Sequence, residues 1–403
     1  MARKTHEELQ AIMKAENVDR IWSWSKFNSF HNSMYEYFLR YILHTKEDRR
    51  DSIYVSTGGI SHDILEKFYL NEIKYEDMIT EFEDGWITAF NIAELKFDRS
   101  DEERNQKISE KYYQNLKHFF ENHVILKDKP MIEQFVKAKI GNNLFQGYID
   151  VCFKDEEGNY HILDWKTSSI YKGKKAENEC GQLIVYAIGL NQMGIPMDKI
   201  RIGWNFLKYV SVQYEQKNGA IKTREIERSE IGDKLQSNAK VWLKQLGYEA
   251  EMDSYLELLS KTNDIKSLPE DVQKKYIVSD CYVEVPITQE LINTWTEDII
   301  TTINDIKLRE ADYEETKNPK AFWDSEESVK AQSYYFANLC GYSPKVHLPY
   351  QEYLNQLEAL EKEKNNLFGG VGGRTTNETS STDITNNATS NNEEDDMSWL
   401  NQL

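Results

Sequence analysis

Apolar residues along the chain recur with two different periods. Over 26–43, 62–70 and 103–123 they return every three or four positions, the spacing of helices with one buried face, so residues 1–128 are expected to be mostly helical. From about 129 the pattern shortens. Two apolar runs, 144–153 and 160–163, flank Asp155-Glu156-Glu157-Gly158-Asn159. Gly-Asn after acidic residues is turn chemistry, so the pair predicts a β-hairpin. A helix is expected over 177–193 and another strand over 200–209. The segment 228–279 reads as a charged helical insertion anchored by Leu243, Leu246, Leu256, Leu258 and Leu259. A short strand at 281–287 and helices at 288–309 and 329–339 close the pattern, and no internal repeat occurs.

The organisation expected is a helical region (1–128), an α/β core (129–229), a helical insertion (230–280), a closing helical region (281–367) and a tail (368–403). In the tail Gly, Thr, Asn and Ser replace the apolar period. Such a segment cannot bury enough surface to offset its ordering entropy, and disorder is expected. It ends on an acidic run, Glu393 to Asp396, followed by Met397-Ser398-Trp399-Leu400. That arrangement reads either as a docking peptide for a replication or recombination protein or as a solubilising tail.

Composition narrows the classes. A length of 403 residues is ample for a core, and a net charge of −19 argues against non-specific coating of DNA. A chain this acidic that bound a polyanion would have to hold it in a confined basic groove. No eighteen-residue apolar run occurs and the N-terminus lacks an apolar signal core, so no membrane span is expected. Four scattered cysteines, Cys152, Cys180, Cys281 and Cys340, fit a reducing cytoplasm, bacterial or phage-infected. No phosphate-binding loop of the G-x-x-x-x-G-K-[ST] type occurs, so ATP-driven unwinding would fall to another chain.

The candidate chemistry lies on the hairpin. Asp150 sits in its first strand and Asp164 near the end of its second, with Lys166 two residues on and therefore on the same strand face. Two carboxylates suit a hard divalent cation, and a nearby ammonium can orient water or stabilise a phosphate oxyanion. A D-x-K triplet alone fits a surface salt bridge equally well. The apolar pairs Tyr148-Ile149 and Ile162-Leu163, where a solvated hairpin would alternate, argue for burial instead. Downstream, the loop carrying Lys172, Lys174 and Lys175 reads as a phosphate contact or as a solvated loop. Gln182 and Tyr186 share a helix face. His62, heading the run Ile64, Leu65, Phe68 and Tyr69, is expected to open a helix, where a cap or core role is also open.

These motifs, in order, resemble the RecB-like exonuclease branch of the PD-(D/E)XK nucleases, which includes the CRISPR-associated adaptation exonucleases. The resemblance spans roughly residues 20–345. It rests on the segment from Ser23 to Ile42, on Gly58-Gly59-Ile60-Ser61-His62, on Glu133, on the hairpin, and on Gln182 with Tyr186. It implies an α/β, restriction-endonuclease-like αβββαβ core with helical elaborations at both ends. It further implies Mg²⁺ or Mn²⁺ held by Asp150, Asp164, the Trp165 carbonyl and His62, with Lys166 positioning water. Gln182 and Tyr186 would contact the DNA backbone or brace the lysine. Many relatives carry a four-cysteine iron–sulfur cluster. Here the first ligand would fall near Asn32, and the C-terminal group keeps only Cys340, so no cluster is expected. Tyr334, Tyr335 and Phe336 are expected to pack there instead. The reading is a DNA exonuclease of recombination, repair or replication. Its rivals are a non-catalytic DNA-binding scaffold on the same fold and a site-specific endonuclease.

Overall fold

In the computed structural model the described residues are 3–49, 53–127 and 130–343, with isolated positions 355, 358, 359, 362 and 363. The acidic run 393–396, Trp399 and the rest of the expected tail lie outside them. Contacts divide the chain into two units.

The smaller unit takes 2–49, 302–336 and the described residues from 340 on. It begins with α1 (His6–Glu16), β1 (Ile21–Ser23), α2 (Trp24–Asn32) and α3 (Met34–Tyr41). The apolar stripe expected over 26–43 is thus two helices. Ser33 breaks it, being extended and accepting the Glu36 N–H to cap α3, while its hydroxyl donates to Asp324. The core of this unit is aromatic: Tyr35 stacks on Trp323 at 4.3 Å and Phe38 on Phe322 at 5.0 Å. The expected packing of 334–336 needs correction. Tyr334 is exposed, and Tyr335 instead donates its hydroxyl to the buried Glu36 carboxylate.

The larger unit takes 50–301 and 337–339. Helices α4 (Ile53–Tyr69), α5 (Met78–Trp86) and α6 (Glu102–Asn122) precede strands β2 (Met131–Ile140), β3 (Asn143–Lys154) and β4 (Tyr160–Lys166). A crossover through α7 (Lys174–Glu179) and α8 (Gly181–Gln192) leads to β5 (Ile200–Glu215). Then follow β6 (Ile221–Glu227), α9 (Ile231–Gln245), α10 (Met252–Thr262), α11 (Glu270–Gln273) and β7 (Tyr276–Val285). The long α12 (Gln289–Thr316) passes out of this unit after Thr301, and α13 (Glu326–Ala331) belongs to the smaller one.

β2, β3 and β4 form an antiparallel run, β4 and β5 are parallel, and β6 and β7 both pair antiparallel with β5. A parallel neighbour requires a crossover, and α7–α8 supplies it. The chain thus has the αβββαβ core of restriction-endonuclease-like folds. Leu163, Trp165, Val151 and Leu207 face a core completed by Ile64, Leu65, Phe82, Leu116 and Phe119 from the helices.

Several local expectations are revised. His62 does not open a helix; it lies ten residues into α4, and burial of Ile53, Ile64 and Leu65 carries the helix through Gly58 and Gly59. The last strand starts at Tyr276 instead of 281, and β6 was not foreseen. In the insertion Leu243, Leu256 and Leu259 are buried, whereas Leu246 and Leu258 are exposed.

Candidate active site

The hairpin turn is built by Asp155, whose carboxylate accepts the Asn159 N–H at 2.7 Å and meets His161 Nε2 at 2.8 Å, while Gly158 takes φ +81°. That turn sets the register Val151↔Leu163. The pairing ends there, and Asp150 and Asp164 follow it on the two strands, near enough for the Asp164 charge to act on the Asp150 carboxyl. Both carboxylates are largely buried, at 9% and 4% exposure.

Lys166 Nζ lies 2.6 Å from Asp164 Oδ2. Beyond this contact Asp164 Oδ2 has no hydrogen-bond partner among the described residues. Asp150 Oδ2 accepts the Trp165 N–H at 3.1 Å and stands 3.4 Å from His62 Nδ1, while His62 Nε2 meets the Trp165 carbonyl at 2.8 Å. Burial pushes the Asp150 carboxyl up to about 6, with the Asp164 charge adding to it and His62, Lys166 and the Trp165 N–H opposing. For Lys166 burial works against the charge, but Asp164 and Asp150 outweigh it and hold the ammonium well above its ordinary value. The ammonium therefore stays charged.

Behind the strand, Tyr69 stacks on the Trp165 indole at 6.2 Å, and its hydroxyl meets His123 Nε2 at 2.7 Å. His123 Nδ1 meets Asp280 at 2.8 Å, and Arg228 closes the chain at 2.5 Å. On the other side of the hairpin, Gln182 donates its amide to the Tyr186 hydroxyl at 2.9 Å, and Tyr186 packs against Gly147. The expected site residues His62, Asp150, Asp164, Trp165 and Lys166 are thus brought together. In the basic loop Lys172 is paired with Glu225 at 2.7 Å, Lys175 lies over the ring of Tyr171, and Lys174 is exposed.

A family model of the PD-(D/E)XK nuclease superfamily matches residues 21–320. The chain belongs to this superfamily. No curated protein matches it in sequence. Members of the superfamily are generally nucleases and typically use divalent metals such as Mg²⁺, and a nuclease fold implies DNA binding. Among the described residues no helix is long and apolar enough to cross a membrane.

The donor set here fits such a metal, though as an open site. Among the described residues no group of three or more His, Cys, Asp or Glu side chains is placed to hold a metal ion. What the strands offer is two buried carboxylates and a main-chain carbonyl, and Mg²⁺ commonly takes one or two carboxylates and fills its remaining positions with water and phosphate. The under-partnered Asp164 Oδ2 and the raised Asp150 carboxyl both report negative charge that a cation would relieve. A cavity of about 590 Å³ lined by His118, Arg228, Asn263 and Asp280 is a separate feature and includes neither carboxylate.

Two residues near these strands were not singled out as site residues from the sequence. Glu133 would pair with Asp150 in the β2–β3 register, but the ladder skips this step and Glu133 takes φ +49°. A left-handed backbone at a non-glycine residue beside a carboxylate pair marks a position held by function or packing. The second is Lys208, whose surroundings become visible only in the folded chain.

Proposed function

We propose that this chain is a Mg²⁺- or Mn²⁺-dependent deoxyribonuclease acting as an exonuclease in recombination, repair or replication. The observation that carries the reading is the pair of buried carboxylates, Asp150 on β3 and Asp164 on the neighbouring β4, with the Lys166 ammonium on Asp164 at 2.6 Å. Asp150, Asp164, the Trp165 carbonyl and His62 would hold the ion. Bound there, a divalent cation supplies Lewis acidity toward the scissile phosphate and acidifies water. Lys166 remains protonated, so its task is to orient the attacking water and to offer positive charge as the phosphate oxygens gain electron density. Gln182 and Tyr186 brace the strand that carries Asp150. Lys172, Lys174 and Lys175 meet the DNA backbone as it leaves the site. The terminal segment 393–403 docks a replication or recombination partner, with Trp399 and Leu400 as anchors.

The exonuclease assignment draws on the order of motifs. Purified protein on end-labelled linear, circular and single-stranded DNA tests it. Degradation of linear DNA with Mg²⁺, none with chelator, and intact circles is the expected result. Cleaved circles would favour the endonuclease, and no cleavage of any form the non-catalytic scaffold.

A further inference from the structure

β5 departs from regular pairing at one place. It pairs with β7 through Asn205↔Tyr282 and resumes at Val210↔Asp280, so 206–209 lie across from Cys281 alone. The bulge starts at Phe206, the residue paired with Lys166 on β4. Bulges re-aim side chains and occur often beside active sites. Here one of the bulged residues is Lys208. It is 9% exposed, with its ammonium 3.8 Å from the centre of the Tyr112 ring. Among the described residues that ammonium has no carboxylate at ion-pair distance and no hydrogen-bond acceptor. Glu227, the acid whose charge it feels, is engaged by Lys111 at 2.7 Å. Tyr112 in turn donates its hydroxyl to the Thr167 carbonyl, the residue directly after Lys166.

A buried cation with only a ring face for company is costly, and burial pushes Lys208 down to about 8. Such a group persists where an anion completes it. A second observation points to the same place. Gly58 and Gly59 interrupt the middle of α4, a position that disfavours glycine. A β-carbon on Gly58 would stand 3.8 Å from Thr167 Oγ1, and one on Gly59 would meet nothing within 4 Å. The helix therefore presents bare backbone beside Thr167, the feature that lets a bulky chain come close.

We propose that Lys208 is a binding site for a backbone phosphate of the DNA strand, adjacent to the scissile position where β4 ends, and that Gly58 and Gly59 keep its approach open. This rests on the nuclease reading above, since the substrate brings the missing anion. Simple cation–π packing of Lys208 on Tyr112 is the alternative.

Binding of a labelled duplex by the full-length protein, with Ca²⁺ in place of Mg²⁺, is followed by anisotropy across a salt series. Lys208→Met should weaken binding several-fold and reduce the slope of log affinity against log salt by about 0.9, the value for one lost phosphate contact. Lys208→Arg should restore the slope. Lys208→Met should melt no lower than the parent, because it removes a buried charge, and Gly58→Ala should weaken binding while melting no lower than the parent, since alanine suits the middle of a helix better than glycine. A Lys208→Met protein with the parental slope overturns the proposal, and a fall in its melting temperature would then assign the lysine to packing. Failure of the parent protein to bind DNA at any salt would sink the nuclease reading itself.

Discussion

Gly147 lies under the ring of Tyr186, so near that a β-carbon on it would fall 2.4 Å from Cε1 and 2.8 Å from the phenol oxygen. Gly147 is three residues before Asp150 on β3, and Tyr186 belongs to α8, where it is 4% exposed and hydrogen-bonded by Gln182. The absence of one side chain therefore sets how closely α8 meets the strand that carries a candidate metal ligand.

Gly147→Ala forces Tyr186 out of its place. Overpacking of this kind costs about 1–3 kcal/mol, and the displaced helix should lower the cleavage rate further than stability loss explains. Urea unfolding and a nuclease assay at a temperature where both proteins are folded check this. Parental stability together with parental rate would show that the ring moves freely.

Asp164→Asn should leave no measurable cleavage, since it removes one of the two buried carboxylates, while DNA binding in Ca²⁺ persists. Lys166→Ala should slow cleavage by roughly 10²-fold or more, the scale of a positioned acid–base or electrostatic group. Retention of more than a few per cent of the rate by Asp164→Asn would refute the assignment of the pair.

His118 titrates low, to about 4, because burial disfavours its charged form and Arg228 repels it, with the Asn263 carbonyl opposing. The unfolded chain takes up this proton near pH 6.5, so between about pH 6.5 and 4 the unfolded state binds more protons than the folded one. The contribution of His118 to stability is thus complete above the unfolded value and is lost as pH falls through that window. The melting temperature of the parent relative to His118→Gln should decline between pH 7 and 4. A constant difference would contradict a neutral buried imidazole.

Arg228 and Asp280 are each about 1% exposed and meet at 2.5 Å. Asp280→Asn leaves a buried guanidinium without its counter-charge, at a cost of about 3–5 kcal/mol. It also loosens the His123–Tyr69 chain behind Trp165. Chemical denaturation measures the first effect. A cost below about 1 kcal/mol would mean that water reaches the pair.

Local chemistry made the hairpin legible. Asp155 to Asn159 carries its own turn geometry, and once the turn is known the register of two short strands follows, so Asp150, Asp164 and Lys166 emerge together. The same locality explains the errors. Ser33 divides one apolar stripe into two helices by capping, a detail of one hydroxyl. His62 heads the apolar run Ile64, Leu65, Phe68 and Tyr69 and so reads as a helix start, whereas tertiary burial of Ile53 begins the helix earlier. Leu246 and Leu258 have the spacing of core residues, but a short helical insertion has too little surface to bury them all.

Periodicity and turn residues depend on neighbours within a few positions, and to that extent the order of residues alone determined the α/β core, the acidic pair and the lysine beside it. The closeness of Gly147 to Tyr186, the gap in the ladder at Glu133, the contact of His62 with the Trp165 carbonyl and the exile of Lys208 onto Tyr112 belong to tertiary structure. Each joins residues 39 or more positions apart or depends on how a strand pairs with a distant partner, and no local preference encodes such a meeting. Packing decided them, because a side chain's cost in a closed interior is fixed by what else must occupy the same space.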